Sequence, residues 1–227
     1  MRPHCGNLEQ KVVDYVSNSA NPSRIISIDL ETRVHNGNFL DGERILAVSL
    51  SRRPKKNTAV ENKLIFLEEQ TNRGEKKLFS ELNDYLIAAR PLIVVGFNHR
   101  GYDLVLLSQK LRKYGGFRLW GLSEMLYRCF HLDVMHVVRF AIARHDGTFP
   151  TILSLAKVID HPMFSDLPLM RTKSIVTGSN DKGSKIYQMY LNNRQKFSQY
   201  ATGDTHDTLL IFEEIFRRYL GRGTAVA

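Results

Sequence analysis

Apolar residues recur along this chain in two rhythms, and the switches between them mark out its elements. Leu8, Val12, Val13 and Val16 keep a helical spacing over about 8–18. Asn21-Pro22-Ser23 interrupts it, and the apolar run at 25–30 predicts a buried strand. A loop carrying Asn36-Gly37-Asn38 and Asp41-Gly42 follows. Further β-like runs at 45–50 and 64–67 flank the basic turn Arg52-Arg53-Pro54-Lys55-Lys56-Asn57. Leu78, Phe79, Leu82, Leu86 and Ile87 then share one face of a helix expected over 76–89, which Pro91 ends. Residues 92–97 predict another strand, and helices are expected over 102–114, 133–144 and 151–159, the first stopped by Gly115-Gly116. The polar stretch 164–183 reads as a loop near the substrate, and a last helical region at 188–219 is expected to break near Gly203. No internal repeat, low-complexity tract or linker appears, so the expected organisation is one α/β domain over residues 1–227.

Composition adds constraints. A hydrophobic fraction of 43% and a charged fraction of 24% describe an ordinary globular protein. Two cysteines, Cys5 and Cys129, make neither a disulfide framework nor a metal-spaced pair, which favours a reducing compartment. The N-terminus has no apolar signal region, and no stretch approaches the roughly 20 apolar residues of a membrane span. A soluble, cytoplasmic protein is expected. The formal charge of +9, from 32 Lys and Arg against 23 Asp and Glu, suits a polyanionic partner. Such basicity also serves solubility alone, so it needs support from chemistry. None of the eight histidines forms a zinc-like spacing, and no glycine segment ends in the Gly-Lys-Ser/Thr of a phosphate-binding loop.

Four carboxylates carry the candidate chemistry. Asp29 and Glu31 lie two apart at the end of the first strand, so alternation points both side chains to one face while Leu30 enters the core. Adjacent carboxylates repel unless a cation neutralises them, and hard divalent ions with oxygen ligands, Mg²⁺ or Mn²⁺, suit the pair. For an isolated Asp-x-Glu after a strand, a solvated strand end is the commoner explanation. The segment Gly96-Phe97-Asn98-His99-Arg100-Gly101-Tyr102-Asp103-Leu104 runs from a strand into a helix, where Asp103 is either a site carboxylate or a helix cap. Tyr200 and Asp204 are four residues apart, so on a helix they address one site. Asp207 reads as an exposed carboxylate near the start of the final helix.

Together, Ser27-Ile28-Asp29-Leu30-Glu31-Thr32, Asn98-x-x-x-Tyr102-Asp103 and Tyr200-x-x-x-Asp204 resemble the three motifs of the DEDD superfamily of 3′–5′ exonucleases, in its tyrosine subclass. Tyr102 stands where the family usually has Phe. The histidine subclass would need His at position 199, which is Gln199. The resemblance spans about residues 25–220 and is nearest to compact relatives of family-B polymerase proofreading domains. The segment His131-Leu132-Asp133-Val134-Met135 and the later Ser154-Leu155-Ala156 add to that likeness, with Asp133 read as a helix cap and His131 as a hydrogen-bonded structural residue. It implies an α/β fold of the ribonuclease H-like kind: a mixed central sheet opened by an antiparallel meander and flanked by helices. It also implies two divalent ions, Mg²⁺ or Mn²⁺, bridged by Asp29, with Glu31 and Asp204 completing one shell and Asp103 acting through water near the other. Tyr200 would orient the attacking water, its pKa near 10 making it a poor base.

The implied activity is 3′–5′ hydrolysis of single-stranded DNA. RNA trimming and a non-catalytic nucleic-acid-binding module are the alternatives. Arg33, Asn98, Arg100, Tyr102, Arg171 and Lys173 are the candidate substrate contacts, with Lys182 and Lys185 beyond them. Arg52, Arg53, Lys55 and Lys56 read as solvated charges. Tyr102 and Phe164 are candidates for stacking on bases, whereas Phe97 reads as core. A homo-oligomer enclosing the strand, and a polymerase or repair partner in trans, are the expected protein partners.

Overall fold

The computed structural model describes residues 22–33, 43–151, 153–172 and 182–220. The expected N-terminal helix, the loop at 36–42 and Lys173 lie outside them. Strands β1 (Ile25–Arg33), β2 (Arg44–Arg52) and β3 (Glu61–Phe66) form an antiparallel meander. Strands β4 (Ile93–Gly96) and β5 (Phe130–Asp133) join it in parallel, giving the order β3-β2-β1-β4-β5. This mixed sheet with flanking helices is the α/β architecture expected from the sequence. β1 outruns its apolar signal and continues through Arg33, with a bulge between Glu31 and Thr32, so both carboxylates sit within the strand. β3 starts at Glu61, three residues before its first apolar position, because its exposed polar residues still pair in register with Ser51 and Arg52.

Alternation divides the layers. Ile26, Ile28 and Leu30 of β1, with Val48 and Leu50 of β2, pack on helices α1 (Asn72–Ala89), α2 (Asp103–Tyr114) and α3 (Trp120–Arg128). The opposite face meets α4 (Val134–Asp146), α5 (Leu155–Ile159), α6 (Lys182–Asn192) and α7 (Arg194–Ile215). Thr71 caps α1 through the Gly74 amide at 3.0 Å, which starts the helix four residues before the start expected at Lys76. Helix α3 and strand β5 are additional to the elements expected from the sequence. The final helical region breaks at Asn193, whose side chain caps α7 on the Lys196 amide, rather than at Gly203.

Gly203 serves packing instead. A β-carbon there would lie 1.9 Å from Thr172 Oγ1, so only glycine lets the 170–172 segment cross the helix. On the other face, buried Lys110 of α2 reaches Glu75 of α1 at 2.8 Å and donates to the Glu43 carbonyl at 2.6 Å. Glu75 also accepts from the Ile45 amide at 3.2 Å and the Tyr114 hydroxyl at 2.5 Å. Removing one member of a buried pair strands the other. Lys110→Ala is therefore expected to lower unfolding stability by about 3–5 kcal/mol, read from urea denaturation; a loss within experimental error would show the pair to be dispensable.

Candidate metal centre

Strand alternation puts Asp29 and Glu31 on the face of the sheet that carries α7. β2 pairs Asp29 with Ser49 and Ser27 with Ser51. Ser49 Oγ lies 2.8 Å and Ser51 Oγ 2.7 Å from Thr205 Oγ1 on α7, and all three residues are fully buried. These hydroxyl contacts fix the helix in both rotation and height above β1. Its neighbouring residue Asp204 thereby reaches the strand. One ligand oxygen from each of Asp29, Glu31 and Asp204 falls within 4.8 Å of the others.

Asp103 approaches from a different direction. β4 pairs with β1 only from Ile25 to Ser27, so the Leu30 amide lies beyond the parallel ladder. Asp103 Oδ1 accepts from that amide at 3.2 Å, where a strand carbonyl would otherwise serve. The N-cap position of α2 is Tyr102, without a side-chain cap bond, and Asp103 is the first helical residue. Its carboxylate thus serves β1, between Asp29 and Glu31 in sequence, instead of capping its own helix. Burial pushes Asp103 up to about 7, an effect the Leu30 amide opposes and the charges of Asp133 and Glu43 reinforce.

Surrounding contacts hold these elements in place. Asp133, only 4% exposed, caps α4 through the Met135 amide at 3.1 Å, as expected, and also accepts from the Asn98 amide at 2.9 Å. Asn98 takes the left-handed conformation, φ 61°, that starts the turn into Asp103. His131 Nε2 donates to the Met125 carbonyl at 2.9 Å, the structural role expected of it. His99 between them is fully buried, and burial holds it down to about 4, so it is neutral at physiological pH.

Several side chains depart from their expected surroundings. Asp207 is 0% exposed, not a surface carboxylate: it accepts from the Met170 amide at 2.7 Å and the Arg171 amide at 3.0 Å, tying that loop to α7. Arg171 directs its guanidinium to the Ile159 carbonyl and to Asp160, at 3.2 and 3.4 Å. Phe164 is fully buried and packs in the core, so it cannot stack on a base. Phe97 packs on the same cluster, as expected. Tyr102 Oη lies 2.7 Å from Thr32 Oγ1, whose proton goes to Glu43 Oε1 at 2.6 Å, so the tyrosine is the donor. Arg53 pairs with Glu213 of α7 at 2.8 Å instead of standing free in solvent. Arg100 is exposed at the turn, and Tyr200, 6% exposed, precedes Asp204 by one helical turn.

Sequence reasoning passed over Ser49, Ser51 and Thr205. The alternation Val48-Ser49-Leu50-Ser51 held a signal, since polar residues on a buried strand need partners. A second metal-capable group, His145, Asp146 and His161, also forms. Its chemistry does not fit: His161 Nδ1 accepts from the Met163 amide at 3.2 Å, so Nε2 carries the proton and donates to Asp146 at 2.9 Å. A protonated ring nitrogen cannot ligate. The three acids of the first group offer only oxygen, in like charges brought together, which suits a hard divalent cation.

No protein-family model matches the chain, and no curated protein matches it. Among solved structures it is similar to the family B DNA polymerase from the hyperthermophilic archaeon Pyrobaculum calidifontis, with a TM-score of 0.60 and 16% sequence identity. The match covers 84% of this chain and 24% of the polymerase, so the chain spans about a quarter of that protein. At this identity the likeness is one of fold. No helix among the described residues is long and apolar enough to cross a membrane.

The raised Asp103 pKa has a thermodynamic consequence. Because the folded state holds this proton up to about pH 7 and the unfolded chain releases it near 4, stability falls as pH rises through that window. Asp103→Asn keeps an acceptor for Leu30 without the charge. In EDTA the variant should melt a few degrees above the wild type at pH 8 and level with it at pH 4. A variant that melts below the wild type at pH 8 would refute the buried-charge explanation.

Proposed function

We propose that this chain is a metal-dependent 3′–5′ exonuclease that hydrolyses phosphodiester bonds of single-stranded DNA. The observation that carries the reading is the convergence of Asp29, Glu31 and Asp204 oxygens within 4.8 Å, from a strand and a helix far apart in sequence. Two further features support it. Asp103 bonds the strand between the first two acids, and the fold is similar to part of a family B DNA polymerase. The order of the motifs along the chain matches the tyrosine subclass of DEDD exonucleases.

Asp29, Glu31 and Asp204 would hold the divalent ions, Mg²⁺ or Mn²⁺, with Asp103 acting through water. When bound, such ions lower the pKa of an attacking water and stabilise charge on the attacked and leaving oxygens. The chain's own residues then have separate tasks. Asp29 and Glu31, on a buried central strand, fix the positions of the negative charges. Asp204 rides on a helix whose placement Thr205 sets through Ser49 and Ser51. Tyr200, one turn from Asp204, orients the water through its hydroxyl. Arg100 on the exposed turn and Lys185 on α6 supply positive charge for the phosphate backbone.

The test uses end-labelled single-stranded DNA and matched RNA with Mg²⁺, Mn²⁺ or EDTA. Shortening from the 3′ end should need the metal, favour DNA, and vanish in Asp29→Ala and Asp204→Ala. Tyr200→Phe, which removes only the water-orienting hydroxyl, should lower kcat by about 10²-fold with little change in KM. Faster shortening of RNA would transfer the reading to an exoribonuclease. Binding to both polymers without cleavage under any metal would leave a binding module.

A further inference from the structure

A cleft of about 310 Å³ opens where α1 and α3 meet the starts of the parallel strands. Its volume is at the small end of the roughly 300–1,000 Å³ of ligand sites, room for one large side chain. Buried Leu86 and Met125 form its base, and exposed Ile87 and Trp120 border it together with the cations Arg24 and Arg90. The shape is built in. Gly121 of α3 comes so close to α1 that a β-carbon would lie 2.7 Å from the Asn83 carbonyl oxygen and 2.9 Å from Ile87 Cγ1. The Asn83 side chain accepts from the Gly121 amide at 2.8 Å, which joins the two helices. Cys129, just ahead of β5, donates its thiol to the Pro91 carbonyl at 3.2 Å and ties the strand ends together.

Two features call for a partner. Trp120, the sole tryptophan of the chain, is 49% exposed beside this apolar base. Tryptophan and arginine dominate binding energy at protein interfaces, and methionine adapts to varied partners. The second feature is unanswered charge. Arg90 closes α1 in the left-handed conformation, φ 46°, where glycine would be the stabler choice. Arg24 Nε donates to the Arg90 carbonyl at 2.8 Å, and among the described residues neither guanidinium pairs with a carboxylate. The one acid lining the cleft, Glu124, is taken by Arg128 at 3.0 Å.

We infer that this cleft docks an extended peptide segment of a partner protein, which seats a large apolar side chain on Leu86, Ile87 and Met125 and sets a neighbouring carboxylate against Arg24 and Arg90. A nucleic-acid strand would supply the anion but not the side chain that the apolar base fits, and Arg128 already lies over the indole, 5.6 Å from its centroid. Arg24 and Asp29 are separated by five residues of extended chain, roughly 16 Å. The cleft belongs to the α1–α3 layer, whereas the carboxylates face α7, so a docked peptide leaves the metal centre open. The inference does not rest on the nuclease reading.

The sole tryptophan makes a test specific to this cleft. Blocked pentapeptides with Leu, Ile, Phe or Met at the centre followed by aspartate, and their asparagine counterparts, are titrated into the full chain in EDTA while tryptophan emission is followed. At least one acidic peptide should shift the emission to the blue, saturating below about 5 mM. Its asparagine counterpart should bind about tenfold or more weakly. Arg90→Gly should shrink that difference while melting no lower than the wild type, so loss of the fold cannot explain it. Ile87→Ser should weaken both peptides alike. No saturable shift with any acidic peptide, equal binding of acid and amide, or an unchanged ratio in Arg90→Gly would overturn the docking site. So would a shift produced only by oligothymidylate, which would make this a nucleic-acid surface, or by raising the protein concentration alone, which would make it an interface between two copies.

Discussion

Three carboxylates held within 4.8 Å of one another repel, and the fold must hold them there against that repulsion. Two unit charges 4 Å apart interact by about 1 kcal/mol in water and about 4 kcal/mol at the effective dielectric of a protein surface. Set against the roughly 5–15 kcal/mol of a typical domain's stability, such repulsion is a substantial fraction. The protein meets it by placement. Asp29 and Glu31 sit on the central strand, where β2 and a buried apolar face allow no slippage without turning every side chain over. Asp204 is brought to them by α7, pinned to β2 through the Ser49, Ser51 and Thr205 hydroxyls. A divalent cation would convert the remaining repulsion into attraction, so the three acids form a group that could hold one.

The same helix organises its surroundings. Gly203 opens a gap for Thr172, and Asp207 binds the Met170 and Arg171 amides, so the 170–172 segment is clamped along the turns that carry Tyr200 and Asp204. On the opposite face, the buried Lys110–Glu75 pair ties α2 to α1, and Lys110 also holds the Glu43 carbonyl. Glu43 in turn receives the Tyr102–Thr32 hydroxyl chain. Packing, capping and site geometry therefore share residues.

Much of this was legible in the sequence. The apolar runs of β1, β2 and β4 and the face of α1 announced themselves by period, and Asp-x-Glu on a strand fixed two of the site acids on one face. Tyr200 and Asp204 followed from helical spacing. What escaped depended on tertiary neighbours. The break in the last helical region falls at Asn193, which caps α7, while Gly203 persists inside the helix because Thr172 needs the space. Asp207 looked like a surface charge because its amide partners lie 36 and 37 residues away. That Arg33 meets Tyr187, 154 residues on, has no local signature either.

The most direct test of a shared metal centre is anomalous diffraction from crystals soaked in Mn²⁺. Manganese peaks in contact with Asp29, Glu31 and Asp204, absent from an Asp29→Asn crystal soaked in the same way, are the expected result. Ordered manganese only at other carboxylates, or at His145, Asp146 and His161, with none beside Asp29, would contradict it.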